Sequence, residues 1–299
     1  MKLLLKGLIA VLMVISATLP DFFSLGKLPE GKSINLDDFE LVWSDEFDGD
    51  KLDKSKWTYI WWETERKGGY WHEDMVEVKD GNLVISADYF DEPLGNYHYD
   101  KWKDQINFKE YKPGWYTGAI SSINIYEQKY GYFEVRCKLP VAQGLWSAFW
   151  MMNDKVEDVD GSGQDGTEVD IFESFYYKDH WWGAGDAVIS GIHYDGYGSD
   201  SKGDSVGKWL VENNPYKEFN TYGLEWNENE YIFYINGVET GRLSTGGVSK
   251  NPEYLILSCE VAGENGVAWA DRHGTGKIDI KDGESADFIV DYVRVYQYK

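Results

Sequence analysis

The segment Gln164-Asp165-Gly166-Thr167-Glu168-Val169-Asp170-Ile171-Phe172-Glu173-Ser174 threads three spaced carboxylates, Glu168, Asp170 and Glu173, through an apolar run. Side chains alternate along an extended chain, so Glu168 and Asp170 share one face and Glu173 points to the other. One residue bulged out at Ile171 or Phe172 resets the alternation and returns Glu173 to the face of the first two. From Glu168 to Glu173, with one residue absorbed by the bulge, the backbone advances about 13 Å at roughly 3.3 Å per residue. Two glutamates leaning together across a concave sheet close most of that gap, toward the roughly 5–5.5 Å carboxyl separation with which retaining enzymes cleave glycosidic bonds. A solvated strand face is the alternative. Val169, Ile171 and Phe172 argue against it, because they set the carboxylates in a structured sheet.

The elements that would hold such a strand are other strands. Helix signals are scarce, whereas short alternating runs bounded by Gly, Asn and Asp recur. Examples are Asn82 to Ala87, Tyr132 to Leu139 and Phe288 to Tyr296. Tyr231 to Ile235 runs into Asn236-Gly237 and then Val238-Glu239-Thr240, a strong hairpin signal because both turn residues accept positive φ. Two antiparallel sheets stacked face to face accommodate this pattern, giving an all-β sandwich. The stretches Glu63 to Glu73, Pro93 to Gly118, Lys178 to Asp186 and Gly196 to Pro215 read as long loops, the usual carriers of binding function.

Composition narrows the partners. Residues 1–20 carry a basic start (Lys2, Lys6), an apolar run and the small residues Ser16-Ala17-Thr18, the pattern of a secretion signal too short for a membrane span. Residues 21–39 read as a short lead-in and residues 40–299 as a single domain, since the 7 prolines form no linker and no repeat appears. A formal net charge of −23 argues against nucleic acid, anionic membranes and heavily sulfated polymers as partners. The 14 Trp, 22 Tyr and 13 Phe suit a core and also stacking on sugar faces. Cys137 and Cys259 both lie in strand-like runs and read as buried thiols, with a disulfide between them as the alternative. Trp146 and Trp150 share a strand face with Ala148 and Met152, lining either a cleft or the core. Trp115, Trp181, Trp182 and Trp269 fall in expected loops, placed to stack on sugar rings or to pack. No zinc pattern, nucleotide-binding glycine loop or Gly-x-Ser-x-Gly elbow is present.

Several segments taken in order resemble glycoside hydrolase family 16, the secreted endo-β-glycanases on a concanavalin-like jelly roll. They are Leu41 to Gly49 with Lys56-Trp57, Tyr130 to Arg136, Gly144 to Met152, Tyr222 to Trp226 and Asp291 to Tyr296, with the carboxylate motif in its expected place. The resemblance spans about residue 40 to the end of the sequence. It implies Glu168 as nucleophile, Glu173 as general acid/base and Asp170 as the residue that orients Glu168. It also implies that Trp146 and Trp150 line the cleft and that His193 lies near the scissile bond. Family members often hold a structural calcium on the convex side, for which Asp291 and the Gly81 carbonyl are the matching ligands; no cofactor enters the chemistry.

The bulged E-x-D-x-x-E spacing resembles laminarinases, agarases, carrageenases and endo-β-galactosidases, and departs from the E-x-D-x-E of lichenases. Ser258-Cys259-Glu260-Val261-Ala262-Gly263-Glu264 departs from the laminarinase strand at that place, while Gly68 to Val76 resembles endo-β-galactosidase-like members. The expectation is a secreted, monomeric endo-hydrolase of neutral β-1,3-glucan or β-galactoside-containing chains. A non-catalytic carbohydrate-binding lectin on the same fold is the alternative.

Overall fold

Asn236 and Gly237 adopt φ of +51° and +74°, and this tight turn joins the strands Tyr231–Ile235 and Val238–Leu243 as their sequence dictates. The same logic of short alternating runs builds the rest of the molecule. The computed structural model describes residues 25–60, 63–95, 110–142, 144–175, 187–211, 214–261 and 286–299.

Two large sheets dominate the described residues. In the first, Lys202–Leu210, Ala187–Tyr194, Glu168–Phe175, Leu145–Met152 and Glu253–Val261 lie side by side, with Ala119–Ser121 and Thr58–Tyr59 beyond them. The second runs Val238–Leu243, Tyr231–Ile235, Asn220–Trp226, Gly131–Lys138, Phe288–Tyr298, Asn82–Ile85 and Val76–Lys79. Phe133, Val135 and Cys137 of the second sheet and Phe149, Met151, Val169, Leu255, Leu257 and Cys259 of the first belong to one buried core. Phe172 crosses the interface to Tyr222, their ring centres 4.4 Å apart. Residues of opposite parity on the first sheet therefore face outward, onto its concave side. The all-β sandwich is the expected one. Both cysteines are free and buried, so the thiol reading holds and the disulfide does not.

Three expected loops, Gly196 to Pro215, Glu63 to Glu73 and Pro93 to Gly118, contain strands. Gly196 to Pro215 contributes Lys202–Leu210, hydrogen-bonded along Ala187–Tyr194; its Gly, Ser and Asp content hides a strand whose order comes from its neighbour and not from its own propensity. Glu63 to Glu73 contributes Glu65–Arg66 and Gly69–Trp71 to a small four-stranded sheet with Gly114–Thr117 and Asp88–Phe90. Trp115 thus sits on a strand, not in a loop. It is edge-on to Tyr89 with ring centres 5.5 Å apart and packs against the main core.

Candidate active site

The strand Glu168–Phe175 carries a bulge where its chemistry needs one. Against Leu145–Met152, Trp150 pairs with Asp170 and Phe149 with Phe172, so Ile171 is left over. Against Ala187–Tyr194, Asp170 pairs with Gly191 and Glu173 with Ile189, so two residues face Ser190. Ile171 and Phe172 are consecutive and both buried in the core, at 1% and 0% exposure, which only an interrupted alternation allows. The Ser190 hydroxyl donates to the Ile171 carbonyl at 2.8 Å, satisfying an acceptor that the irregular ladder leaves over. Beyond the bulge Glu173 faces the same way as Glu168 and Asp170, and all three line one concave cleft of about 1240 Å³.

The environments of the three carboxylates differ. Glu168 accepts a hydrogen bond from the Tyr197 hydroxyl, and this bond with nearby His193 and Arg66 offsets part of the upward push that burial gives its pKa. Glu173 is pushed up to about 8, by burial first and then by the negative charges of Glu168 and Glu260; the Trp146 indole N–H opposes this. Asp170 is raised well above the carboxylate range, by burial and then by Glu173 and Glu168. His193 Nε2 lies 3.6 Å from its Oδ2. Glu168 is therefore favoured as the ionised member and Glu173 as the protonated one, the division of labour that a nucleophile and an acid/base require. Asp170 sits between them on the cleft floor, 4% exposed.

Trp146, Trp150 and His193 all line the cleft, as expected. Trp150 is fixed by its indole N–H, which donates to Ser258 Oγ at 3.0 Å. Trp181, Trp182 and Trp269 lie outside the described residues. Trp115 is absent from the cleft lining. At the expected calcium ligand Asp291, Arg136 Nη1 lies 2.5 Å from Oδ2, so a divalent cation there would compete with a guanidinium for the carboxylate. Gly81 serves the Asp80-Gly81 turn, with φ of +72°. Among the described residues the one group of three His, Cys, Asp or Glu side chains with metal-ligand reach is Glu168, Asp170 and His193, inside the cleft.

The cleft also holds Tyr197, Arg66 and Glu260, which sequence reasoning does not assign to the site. Glu260 is open to discovery from the pattern, since alternation puts it on one face with Ser258 and Ile256. Tyr197 and Arg66 carry no periodic signal at all.

The family model described as "Beta-porphyranase A-D, GH16 domain" matches residues 40–298. The chain belongs to glycoside hydrolase family 16. Among curated relatives, the keratan-sulfate endo-1,4-β-galactosidase of Sphingobacterium multivorum is 28% identical over 91% of this chain. The chain spans 58% of that protein, less than two thirds of its length. The β-glucanase of Rhodothermus marinus is 27% identical, with 87% of this chain and 86% of the relative aligned. A solved structure from work on endo-acting O-glycanases of the human gut microbiota that initiate mucin breakdown superposes with a TM-score of 0.66 at 25% identity, covering 92% of this chain and 94% of that one. The jelly-roll fold read from the sequence is that of these family members.

Proposed function

We propose that this chain is a retaining endo-β-glycosidase that cleaves internal linkages of β-galactoside-containing chains. The observation that carries the reaction is the bulge at Ile171, which turns Glu173 onto the cleft beside Glu168. Glu168 attacks the anomeric carbon while Glu173 protonates the departing oxygen; Glu173 then deprotonates water, which releases the sugar from Glu168. The porphyranase-type family match and the keratan-sulfate relative support galactosides. A β-glucan substrate is the second reading, favoured by the β-glucanase relative. The charge of −23 supports a neutral polymer in either case. No cofactor enters the chemistry, and the structural calcium implied by the family resemblance has no part in this reading, because Arg136 holds Asp291. The basic and apolar opening of residues 1–20 supports export, which recovery of the protein from culture medium would test.

Reducing-end release from agarose-type galactan, mucin-type glycans, laminarin and lichenan, with wild type and Glu168→Gln, tests the proposal. Release by the wild type from a β-linked galactan, abolished in the variant, is the expected result. Activity surviving in Glu168→Gln removes the nucleophile assignment. Binding of every polymer without cleavage would favour the lectin.

A further inference from the structure

The concave face carries a fourth carboxylate that the retaining mechanism leaves unused. Glu260 stands on Glu253–Val261 directly opposite Trp146, and its side chain is 8% exposed. Arg66 grips Oε1 alone, through Nε at 3.1 Å and Nη2 at 2.5 Å, while its Nη1 bonds Glu63 at 2.9 Å. The guanidinium lies 4.7 Å from the centre of the Trp71 ring. Oε2 of Glu260 has no hydrogen-bond partner among the described residues. Lys67 Nζ is 3.9 Å from it, outside hydrogen-bond reach, and lies 5.0 Å from the centre of the Trp146 ring. A buried carboxylate oxygen held rigidly and left without a donor is a place where a ligand donor completes the structure.

We propose that Glu260 is a substrate-binding residue whose Oε2 accepts a hydrogen bond from a hydroxyl of an unsulfated sugar seated against Trp146, on the opposite side of the catalytic strand from His193. The inference rests on the glycosidase reading and deepens it by naming the kind of sugar. Glu63 and Glu260 balance the charges of Arg66 and Lys67, and Arg66 gives three N–H bonds to the two glutamates. A sulfate brought here meets a guanidinium already paired with two carboxylates and adds negative charge to a cleft that already holds Glu168, Asp170 and Glu173. A sugar hydroxyl needs an acceptor and a ring face, and both are present; Lys67 supplies a donor for a neighbouring hydroxyl.

The test is titration calorimetry of wild type and Glu260→Gln with unsulfated β-galactan and β-1,3-glucan oligosaccharides and with their sulfated counterparts. It is paired with kcat and KM on whichever chain the wild type cleaves. The expected result is a tenfold or greater rise in KM and Kd for the unsulfated ligand in Glu260→Gln, with kcat within threefold. Sulfated ligands should bind the wild type at least tenfold more weakly. Unchanged KM and Kd in a variant with wild-type melting overturns the proposal, as does a fall in kcat at constant KM, which would mark a positioning role. If the variant melts early, the sulfated and unsulfated affinities of the wild type decide, and equal or tighter binding of the sulfated chain is contradictory. A wild type that binds without cleaving removes the hydrolase reading and leaves Glu260 judged on affinity alone. One that binds no oligosaccharide overturns both.

Discussion

Glu168 and Glu173 are chemically identical side chains five positions apart, and the different tasks proposed for them come from what touches them. A tyrosine hydroxyl donates to Glu168, favouring its anion. Around Glu173, burial and two negative neighbours favour the acid and lift it to about 8. The acid must be protonated at the first step, so kcat/KM should fall on the alkaline side as Glu173 loses its proton, with that limb near pH 8. Glu260 contributes to the lift by repelling a second negative charge. Without that charge Glu173 ionises more readily, so Glu260→Gln should move the alkaline limb to lower pH. A pH profile of kcat/KM checks this; a limb that stays put or moves upward contradicts the assignment. The same residues show what a one-dimensional pattern reveals. Carboxylate type and spacing make Glu168, Asp170 and Glu173 legible from the sequence alone. Arg66 and Tyr197 are not, because their place depends on how the small sheet and the turn after Ala187–Tyr194 stand over the cleft. No local rule encodes that.

The bulge is where strand pattern and chemistry meet. Strict alternation would send Glu173 into the core, where Ile171 and Phe172 now lie at 1% and 0% exposure. Ser190 secures the irregular turn through the Ile171 carbonyl. Ser190→Ala leaves that buried acceptor unpaired, which should destabilise the fold by about 1–3 kcal/mol in urea denaturation. The loosened bulge should also lower kcat more than it raises KM, because Glu173 is displaced relative to Glu168. Wild-type stability and kcat in the variant would show that the bulge holds itself. The bulge is legible because chemistry demands it, and Lys202–Leu210 is not, because Gly203, Ser205 and Gly207 read as loop. Gly203 is required by contact instead: a Cβ there would meet the Ile192 carbonyl at 2.6 Å and His193 Nδ1 at 2.8 Å. Such a glycine marks close strand approach, and sequence alone cannot distinguish it from a turn glycine.

At the scale of the molecule, two stacked sheets give a rigid concave floor, and inward–outward alternation on five adjacent strands delivers tryptophans, carboxylates and a histidine to one cleft. That architecture follows from period-two hydrophobicity and hairpin signals, which depend on backbone geometry and survive wide sequence change. The metal expectation follows from family resemblance and not from local chemistry, and Arg136 at Asp291 speaks against it. Incubation with EDTA should therefore leave the melting temperature unchanged; a fall restored by added calcium would show that the cation displaces the arginine. We propose a double displacement in which the fold sets Glu168 as nucleophile and Glu173 as acid/base. Its most direct test is proton NMR of the first product released from a cleaved β-linked chain. The β anomer should appear first, before mutarotation, and initial release of the α anomer would contradict the account.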